Sequence, residues 1–473
     1  MTTPIPTAID SDGIPIPPKF IRQRGKMVYN PEYISYMKGE KNPNKATKDE
    51  SKILNVITGI VDLSEDFPFA DQERPERTLR WNPGARWIHS NFGEMSEVYR
   101  VTVVEDGKLV ADYRREGVGE DDTFNLFSTT KGIMSMLIGV VMERTDLTPQ
   151  DTLEKVFENN PNAWTRLENS PEELEYTKSI TIHELLTMTS GLVSMIGGVK
   201  GVLSMKAFSV PDAAGSDLAR ALEAPSFNPK LRGTFHYMPS SNILSYVIKE
   251  KTGLSPLEFA HLHVFPKLGI LPHKMNWEAN SEGIQASYSQ LYLTTYHLCK
   301  IGQLYLQDGF PSPKALKPLF GDDWIENSHQ KHVYGQGGFD HWYGYLWSLY
   351  DRNFHSNLQA GDIWCAPGFN GQLLAISRDT NRVVAISRFP KPMDADTLVH
   401  FKRCAIKLLG KTMSYQMSGD NGSESDGIGD SPSSLPDGPP RKYIRQDGAM
   451  VVNPEYVEYM KNEQSRKTSD SEE

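Results

Sequence analysis

Cysteine is scarce in this chain. Only three cysteines occur among 473 residues, at positions 299, 365 and 404. An odd number at such wide spacing fits neither a disulfide framework nor a zinc cluster built from cysteines. Because hydrophobic residues make up 38% of the chain, the sequence predicts one or two compact bodies with a large apolar core. The cysteine usage is typical of a reducing compartment, so we expect a cytoplasmic protein.

Positive charge and long apolar segments are also lacking. The chain carries 50 Lys and Arg against 60 Asp and Glu, a formal net charge of -10, whereas a nucleic-acid-binding surface needs excess positive charge. The longest apolar stretch, 133–142, spans about ten residues, and a membrane helix needs about 20. No basic segment followed by an apolar one marks a secretory signal at the amino terminus. We therefore expect neither nucleic-acid binding nor a membrane span.

Several catalytic signatures are missing as well. No G-x-S-x-G motif occurs, which disfavours an α/β-hydrolase. The zinc motif H-E-x-x-H is not met after His183, because Thr187 stands where the second histidine would be. Two other histidine pairs have ligand-like spacing but lack a carboxylate or cysteine partner nearby. The sequence thus predicts no metal and no cofactor.

The two ends of the chain differ in composition from its middle. Residues 1–50 are rich in Pro, Lys and Asn, and the segment SGDNGSESDGIGDSPSSLPDGPP follows the apolar middle. Such segments bury too few apolar groups to offset the entropy of ordering. We predict an N-terminal tail over 1–50, a folded body over 51–412, a disordered linker over 413–442 and an acidic tail over 462–473.

One segment occurs twice, once near each end. FIRQRGKMVYNPEYISYMK at 20–38 returns as YIRQDGAMVVNPEYVEYMK at 443–461. Asn-Pro-Glu-Tyr is typical of a helix start, with Asn30 and Asn453 as N-caps. The two copies are either structural clasps that dock on the body or pair, or a linear motif that binds a protein partner twice and gains from effective concentration.

The body alternates between two kinds of pattern. Strand-like segments lie at its beginning, Val98 to Val104 and Lys108 to Arg114, and near its end, Gln372 to Arg378 and Val383 to Arg388. A helical segment, Asp394 to Leu409, closes it, and the residues between are mainly helical and rich in loops. The pattern predicts an α+β fold, with one antiparallel sheet built from both ends of the body and an inserted helical lobe.

A candidate nucleophile stands at the start of an apolar helix. In NLFSTTKGIMSMLIGVVME, Ser128 and Lys131 are three residues apart and share one helix face. A neutral lysine amine can take the serine proton, and the helix N-terminus favours developing negative charge. Ser-x-x-Lys also begins at Ser35 and Ser328, so the motif alone is weak. Only the copy at Ser128 opens a long apolar helix directly after a strand and loop.

Four segments in order carry a family resemblance. FSTTKG, SITIHELLTMTSGL, GTFHYMPSSNILSYVI and APGFNGQLLAIS resemble motifs of the serine β-lactamase-like proteins. That family includes class C β-lactamases, D-alanyl carboxypeptidases, related esterases and 6-aminohexanoate-dimer hydrolases. The likeness spans 98–410. It implies a β-lactamase/transpeptidase-like fold, an antiparallel sheet flanked by helices with an inserted, mainly helical lobe.

The resemblance also implies roles for individual residues. Ser128 resembles the acylated nucleophile and Lys131 its base. Tyr237, on a turn after Gly233, resembles the tyrosine that relays a proton to the leaving group. The oxyanion hole of the family implies the backbone N–H groups of Ser128 and Gln372.

Two departures from the family pattern bear on the substrate. Met238 and Pro239 follow Tyr237, where many members have Tyr-x-Asn, and Asn242 lies five positions on. The triplet 369–371 is Phe-Asn-Gly in place of the common Lys-Thr-Gly, so it lacks a cation for a substrate carboxylate. This favours esters or neutral amides over β-lactams. The predicted pocket residues are Gly368, Phe369, Asn370, Gly371, Trp364 and Tyr345, although the last two are as well suited to core packing.

Three functions follow from these motifs. The first is hydrolysis of a carboxylic ester or neutral amide through an acyl-enzyme on Ser128. The second is acyl transfer by the same nucleophile to an alcohol or amine. The third is a scaffolding or interaction protein that works through the repeated segment.

Overall fold

The computed structural model describes residues 20–23, 26–29, 60–70, 88, 92, 97–194, 218–223, 225–237, 242–335, 341–350, 361–389, 393, 395–410, 443–446 and 449–452. The chain divides into two compact units, 1–419 and 420–473. The expected linker 413–442, the acidic tail 462–473 and the expected helix starts at Asn30 and Asn453 lie outside the described residues.

The strands are numbered in chain order. They are β1 Phe20–Gln23, β2 Lys26–Tyr29, β3 Val98–Glu105, β4 Lys108–Arg114, β5 Phe124–Asn125, β6 Ser190–Ser194, β7 Pro225–Arg232, β8 Asn276–Trp277, β9 Leu291–Leu293, β10 Val333–Tyr334, β11 Trp342–Tyr343, β12 Ser348–Tyr350, β13 Ile363–Pro367, β14 Leu373–Ser377, β15 Arg382–Arg388, β16 Tyr443–Gln446 and β17 Ala449–Val452.

The α-helices follow the same convention. They are α1 Thr130–Arg144, α2 Leu153–Val156, α3 Pro171–Ser179, α4 Ile182–Thr187, α5 Leu218–Glu223, α6 Asn242–Thr252, α7 Pro256–His263, α8 Thr295–Leu306, α9 Asp322–Ser328 and α10 Ala395–Leu409. Short 3-10 turns cover Phe127–Thr129, Pro161–Trp164, Phe265–Leu268, Pro272–Lys274 and Phe369–Gly371.

An antiparallel sheet organises the body. Its eight strands run in the order β10, β11, β12, β13, β14, β15, β3, β4, so strands from the beginning and the end of the body pair directly at β15 and β3. Side chains alternate between its two faces. On β15, Val383 and Ala385 join the larger core with α1 and α8, whereas Val384 and Ile386 join the smaller core with α10. The predicted α+β fold is confirmed.

Helix α1 runs through the larger core. Its residues from Thr130 to Val141 are all buried, as expected for a helix that is apolar on every side. Two glycines let neighbours approach closely: Gly132 lies against Ala366 of β13, and Gly139 against the indole of Trp324. The helix is thereby fixed between the sheet and the helical lobe.

The segment WYGYLWSLY at 342–350 contains two short strands. It forms β11 and β12, joined by a turn in which the Gly344 N–H donates to the Trp347 carbonyl at 2.8 Å and Leu346 has a φ of 63°. Strands β10 to β12 extend the sheet where the sequence predicted mainly helices and loops. Each is only two or three residues long, too short to show an alternating pattern.

The repeated segment begins with the same hairpin in both copies. Strands β1 and β2 pair Ile21 with Val28, and β16 and β17 pair Ile444 with Val451. Two residues separate the strands in each copy, and in the second copy they are Asp and Gly, a dipeptide typical of two-residue hairpin turns. That signal supports a hairpin that the sequence analysis did not predict.

No helix in the described part of the chain combines the length and the apolar character needed to cross a bilayer.

Candidate active site

Ser128 lies in the 3-10 turn between β5 and α1. Two contacts fix the residues before it: the Leu126 N–H donates to the Leu291 carbonyl at 2.8 Å, and the Phe127 N–H donates to Asn125 Oδ1 at 2.9 Å. Phe127 has a φ of 45°, a left-handed conformation that bulky residues rarely adopt. Such strain persists only where surrounding contacts hold it. The turn therefore presents the serine in a fixed position.

The same turn is attached to the central sheet. The Thr129 hydroxyl donates to the Ala366 carbonyl at 2.9 Å. A Cβ on Gly368 would collide with the Leu126 carbonyl oxygen and lie 2.8 Å from Thr129 Oγ1. Only glycine therefore lets the end of β13 approach the serine turn this closely.

Lys131 lies one helical turn beyond the serine, with 3% of its surface exposed. Its Nζ lies 2.9 Å from Ser128 Oγ and 3.0 Å from Tyr237 Oη. Among the ion pairs formed by described residues, none includes Lys131. The amine thus bridges two hydroxyl groups inside the protein, and no carboxylate of the described residues pairs with it.

Tyr237 reaches the site from the segment after β7. The Gly233 N–H donates to the Thr189 carbonyl at 2.8 Å, and the His236 N–H donates to the Met188 carbonyl at 2.9 Å. These bonds dock the segment onto the end of α4. The Tyr237 ring is half-buried, with Lys131 Nζ 4.7 Å from its centroid. Three of the four sequence motifs therefore meet at one point.

Gln372 lies between the 3-10 turn Phe369–Gly371 and β14. The Gly368 N–H donates to its carbonyl at 2.7 Å, so Gly368 contacts both Gln372 and the serine turn. The Gln372 side chain is buried and bonds the backbone of Arg388: its Oε1 accepts from the Arg388 N–H at 3.3 Å, and its Nε2 donates to the Arg388 carbonyl. The amide side chain thus continues the β14–β15 pairing past its last backbone pair.

The predicted pocket residues divide into two groups. Gly368 and the 3-10 turn 369–371 lie beside the serine turn, and the Phe369 ring meets the Phe127 ring edge to face at 5.7 Å. The structure does not bring Trp364 and Tyr345 to this point. The ring of Trp364, on β13, and the ring of Tyr345, in the turn before β12, pack against histidines.

Both of these aromatic residues have imidazole neighbours. Trp364 stacks on His329 at 3.6 Å. Tyr345 stacks on His332 at 4.6 Å, and its hydroxyl lies 2.9 Å from His183 Nδ1. Burial lowers the pKa of each of these three histidines.

Among the described residues, no group of three or more His, Cys, Asp or Glu side chains is arranged to hold a metal ion.

The sequence analysis missed one residue at the site. Tyr288, 3% exposed, lies with its ring centroid 5.8 Å from Lys131 Nζ. Burial raises the pKa of its phenol to about 12. Tyr288 lies in none of the four sequence motifs. It comes close to Lys131 because β9, which follows it, pairs with β5, which precedes the serine turn. Asn242 holds the residue before Tyr288, since its Oδ1 accepts a hydrogen bond from the Ser287 N–H at 3.3 Å.

Comparisons with known proteins agree with the fold. A family model described as Beta-lactamase matches residues 96–403. A Bacillus anthracis protein assigned as a 6-aminohexanoate-dimer hydrolase superposes with a TM-score of 0.56 at 16% identity, over 74% of this chain and 89% of that one. A penicillin-binding protein homologue from Caulobacter crescentus gives 0.52 at 14%, over 70% and 96%.

A third solved structure is EstCE1, a hydrolase with promiscuous acyltransferase activity. It gives a TM-score of 0.52 at 14% identity, over 72% of this chain and 99% of that one. At such identities the likeness to solved structures establishes the fold. Among curated proteins, none matches this chain.

Proposed function

Because this chain belongs to the beta-lactamase family of serine hydrolases, we propose that it hydrolyses carboxylic esters or neutral amides through an acyl-enzyme on Ser128. One observation carries the proposal: Lys131 Nζ lies within hydrogen-bonding distance of both Ser128 Oγ and Tyr237 Oη. A nucleophile, its base and a path for the proton are the parts that covalent acyl transfer needs.

The first half of the reaction forms the acyl-enzyme. Neutral Lys131 takes the proton from Ser128 Oγ, which attacks the carbonyl carbon, and the carbonyl electron pair moves to its oxygen. The backbone N–H groups of Ser128 and Gln372 receive this oxyanion. Each such preorganised donor is worth about 2.7–4 kcal/mol in the transition state.

The second half releases the products. Collapse of the tetrahedral intermediate breaks the bond to the leaving alcohol or amine, which takes the proton from Lys131 through Tyr237 Oη, 3.0 Å away from Nζ. Water then attacks the acyl carbon, the same base accepts its proton, and Ser128 regains a hydrogen as the acid departs.

The residues beside the serine turn favour a neutral substrate. The triplet 369–371 contains no cation, and its first ring packs on Phe127. The buried Arg388 on the adjacent strand already faces Glu97, with 3.5 Å between Nη2 and Oε2. Among the described residues beside this turn, none other than the base Lys131 offers a cation to a substrate carboxylate, which would therefore lose its hydration uncompensated.

The proposal predicts an acyl adduct on one serine. After brief mixing with p-nitrophenyl acetate or butyrate, intact mass spectrometry and peptide mapping should find the acyl mass on Ser128. Ser128→Ala and Lys131→Ala should lack the adduct and lose hydrolysis by at least about 10³-fold, because nucleophile and base act as a unit.

A matched control is available in the same chain. Ser328→Ala changes another Ser-x-x-Lys copy and should leave the adduct in place. Hydrolysis by Ser128→Ala at the wild-type rate would refute the proposed nucleophile.

Acyl transfer is a second candidate, supported by the fold shared with EstCE1. An alcohol or amine would attack the acyl carbon of the same intermediate in place of water. Adding an alcohol acceptor to the assay separates the two functions. An ester product at the expense of the free acid indicates transfer, and the free acid alone indicates hydrolysis.

We also propose that the repeated segment binds a protein partner through both copies. The common hairpin register of the two copies supports this idea. Binding through two copies would raise the apparent affinity without any new contact.

A further inference from the structure

We propose that Tyr288 is a positioning residue for the reaction, acting through Lys131: the face of its ring stabilises the ammonium that Lys131 becomes while Ser128 attacks. The inference rests on the proposed function, because it takes Lys131 to be the base. It adds a residue that no motif of the sequence contains.

The surroundings of Lys131 offer a positive charge little stabilisation from water or from described carboxylates. The side chain is 3% exposed, so little water can solvate a positive charge there, and no carboxylate of the described residues pairs with it. An ammonium has three N–H donors, of which two face Ser128 Oγ and Tyr237 Oη. The Tyr288 centroid, 5.8 Å from Nζ, lies within the range of about 6 Å for cation–π attraction.

The position of Tyr288 is fixed on both sides. Before it, the Ser287 N–H donates to Asn242 Oδ1 at 3.3 Å, at the start of the helix that follows Tyr237. After it, the Gln290 N–H donates to Asn125 Oδ1 at 3.3 Å, and Asn125 also holds the serine turn through Phe127. The segments that carry the nucleophile and the proton relay therefore also set the distance between Tyr288 and Lys131.

The chemistry of the ring restricts what it can do. Burial raises the pKa of the Tyr288 phenol to about 12. The phenol therefore stays neutral near pH 7 and supplies no proton to the reaction. A π face attracts a cation but gains little from a neutral amine. When the Ser128 O–H bond breaks and an N–H bond forms at Nζ, the charge appears beside the ring. The stabilisation therefore arises in the transition state and affects kcat more than KM.

The test compares Tyr288→Leu with Tyr288→Phe in the full chain, using p-nitrophenyl butyrate. Tyr288→Leu should lower kcat by about 2- to 30-fold, the range that cation–π energies correspond to, with KM within twofold. Tyr288→Phe keeps the ring and should retain kcat near the wild-type value. A loss confined to KM, or an equal loss in both variants, would overturn the inference.

A second measurement serves if Tyr288→Leu does not fold. Fluorinated phenylalanines placed at position 288 keep the ring volume while weakening its negative face. The inference expects kcat to fall with each added fluorine at unchanged KM and melting temperature, and a flat series would overturn it. The activity of Ser128→Ala, measured in parallel, tests the proposed function separately. If Ser128→Ala is inactive but substitutions at position 288 leave kcat unchanged, the inference about Tyr288 fails and the proposed function stands.

Discussion

Gly368 is the residue at which the central sheet and the serine turn come closest. The absence of a side chain there lets the end of β13 lie against the Leu126 carbonyl and the Thr129 hydroxyl. The same residue pairs with Gln372, whose backbone N–H is one of the two proposed oxyanion donors. A displacement at Gly368 would therefore separate the two donors.

A single methyl group at this position tests that arrangement. Gly368→Ala should lower kcat/KM for p-nitrophenyl butyrate by about 10²-fold, the scale expected for losing one oxyanion donor. Gly321→Ala is the control, because a Cβ there meets only Glu143, at 3.9 Å, and should leave activity unchanged. Equal rates for the two variants would count against the placement of Gln372 in the oxyanion hole.

Residue types and spacing predicted part of this site. The spacing of three residues brings Lys131, in the first turn of α1, beside Ser128 in the preceding 3-10 turn, and the order of the motifs led to Tyr237. Trp364 and Tyr345 instead pack on His329 and His332, because a large aromatic side chain suits a core as well as a pocket.

At the scale of elements, α8 joins the two ends of the body. Gly302 lies against Val383 of β15, and the Thr295 hydroxyl lies 2.7 Å from the Thr102 hydroxyl of β3. His297, 6% exposed, lies in its first turn. Burial, with positive charges nearby, lowers the pKa of this imidazole to about 3.

His297 should make the stability of the fold depend on pH. The folded state keeps the imidazole neutral, whereas the unfolded chain protonates it below its ordinary pKa of 6.5. The unfolded state then binds more protons, so stability present above pH 6.5 is lost as the pH falls toward 3. The loss is about 1.4 kcal/mol per pH unit from this group.

Urea unfolding at pH 7, 6 and 5 measures this effect. The free energy of unfolding of the wild type should fall more steeply with acidification than that of His297→Gln, which has no titrating ring. Parallel pH profiles for the two proteins would exclude His297 as the source.

The longer strands could be predicted from the sequence, and the shortest ones could not. The strands from Val98 to Arg114 and the hairpin after Gln372 are confirmed, because runs of five or more residues rich in apolar and β-branched side chains, bounded by turn residues, are typical of strands. Strands β10 to β12 are too short for that, and their pairing depends on neighbours distant in sequence.

At the scale of the whole molecule, the repeated segment and the serine site are proposed to serve different functions. Ile21→Asp and Ile444→Asp, singly and together, should leave ester hydrolysis within twofold of the wild type. A protein captured by peptides 20–38 and 443–461 alike should bind either single variant about 10²–10⁴-fold more weakly than the wild type, because one remaining copy lacks the gain from bivalency. It should not bind the double variant.

Other outcomes have distinct meanings. Two peptides that capture different proteins would argue against a shared partner. A lower melting temperature of the double variant would instead favour the interpretation of the segments as structural clasps.

Helix α1 has a consequence for how activity is lost. An element buried on all sides, as this one is from Thr130 to Val141, opens to solvent only when the surrounding structure does. Its amide hydrogens should therefore be among the slowest to exchange with deuterium. Local fraying at the surface would leave the attached serine in place, so inactivation by heat would report the cooperative unfolding of the body itself.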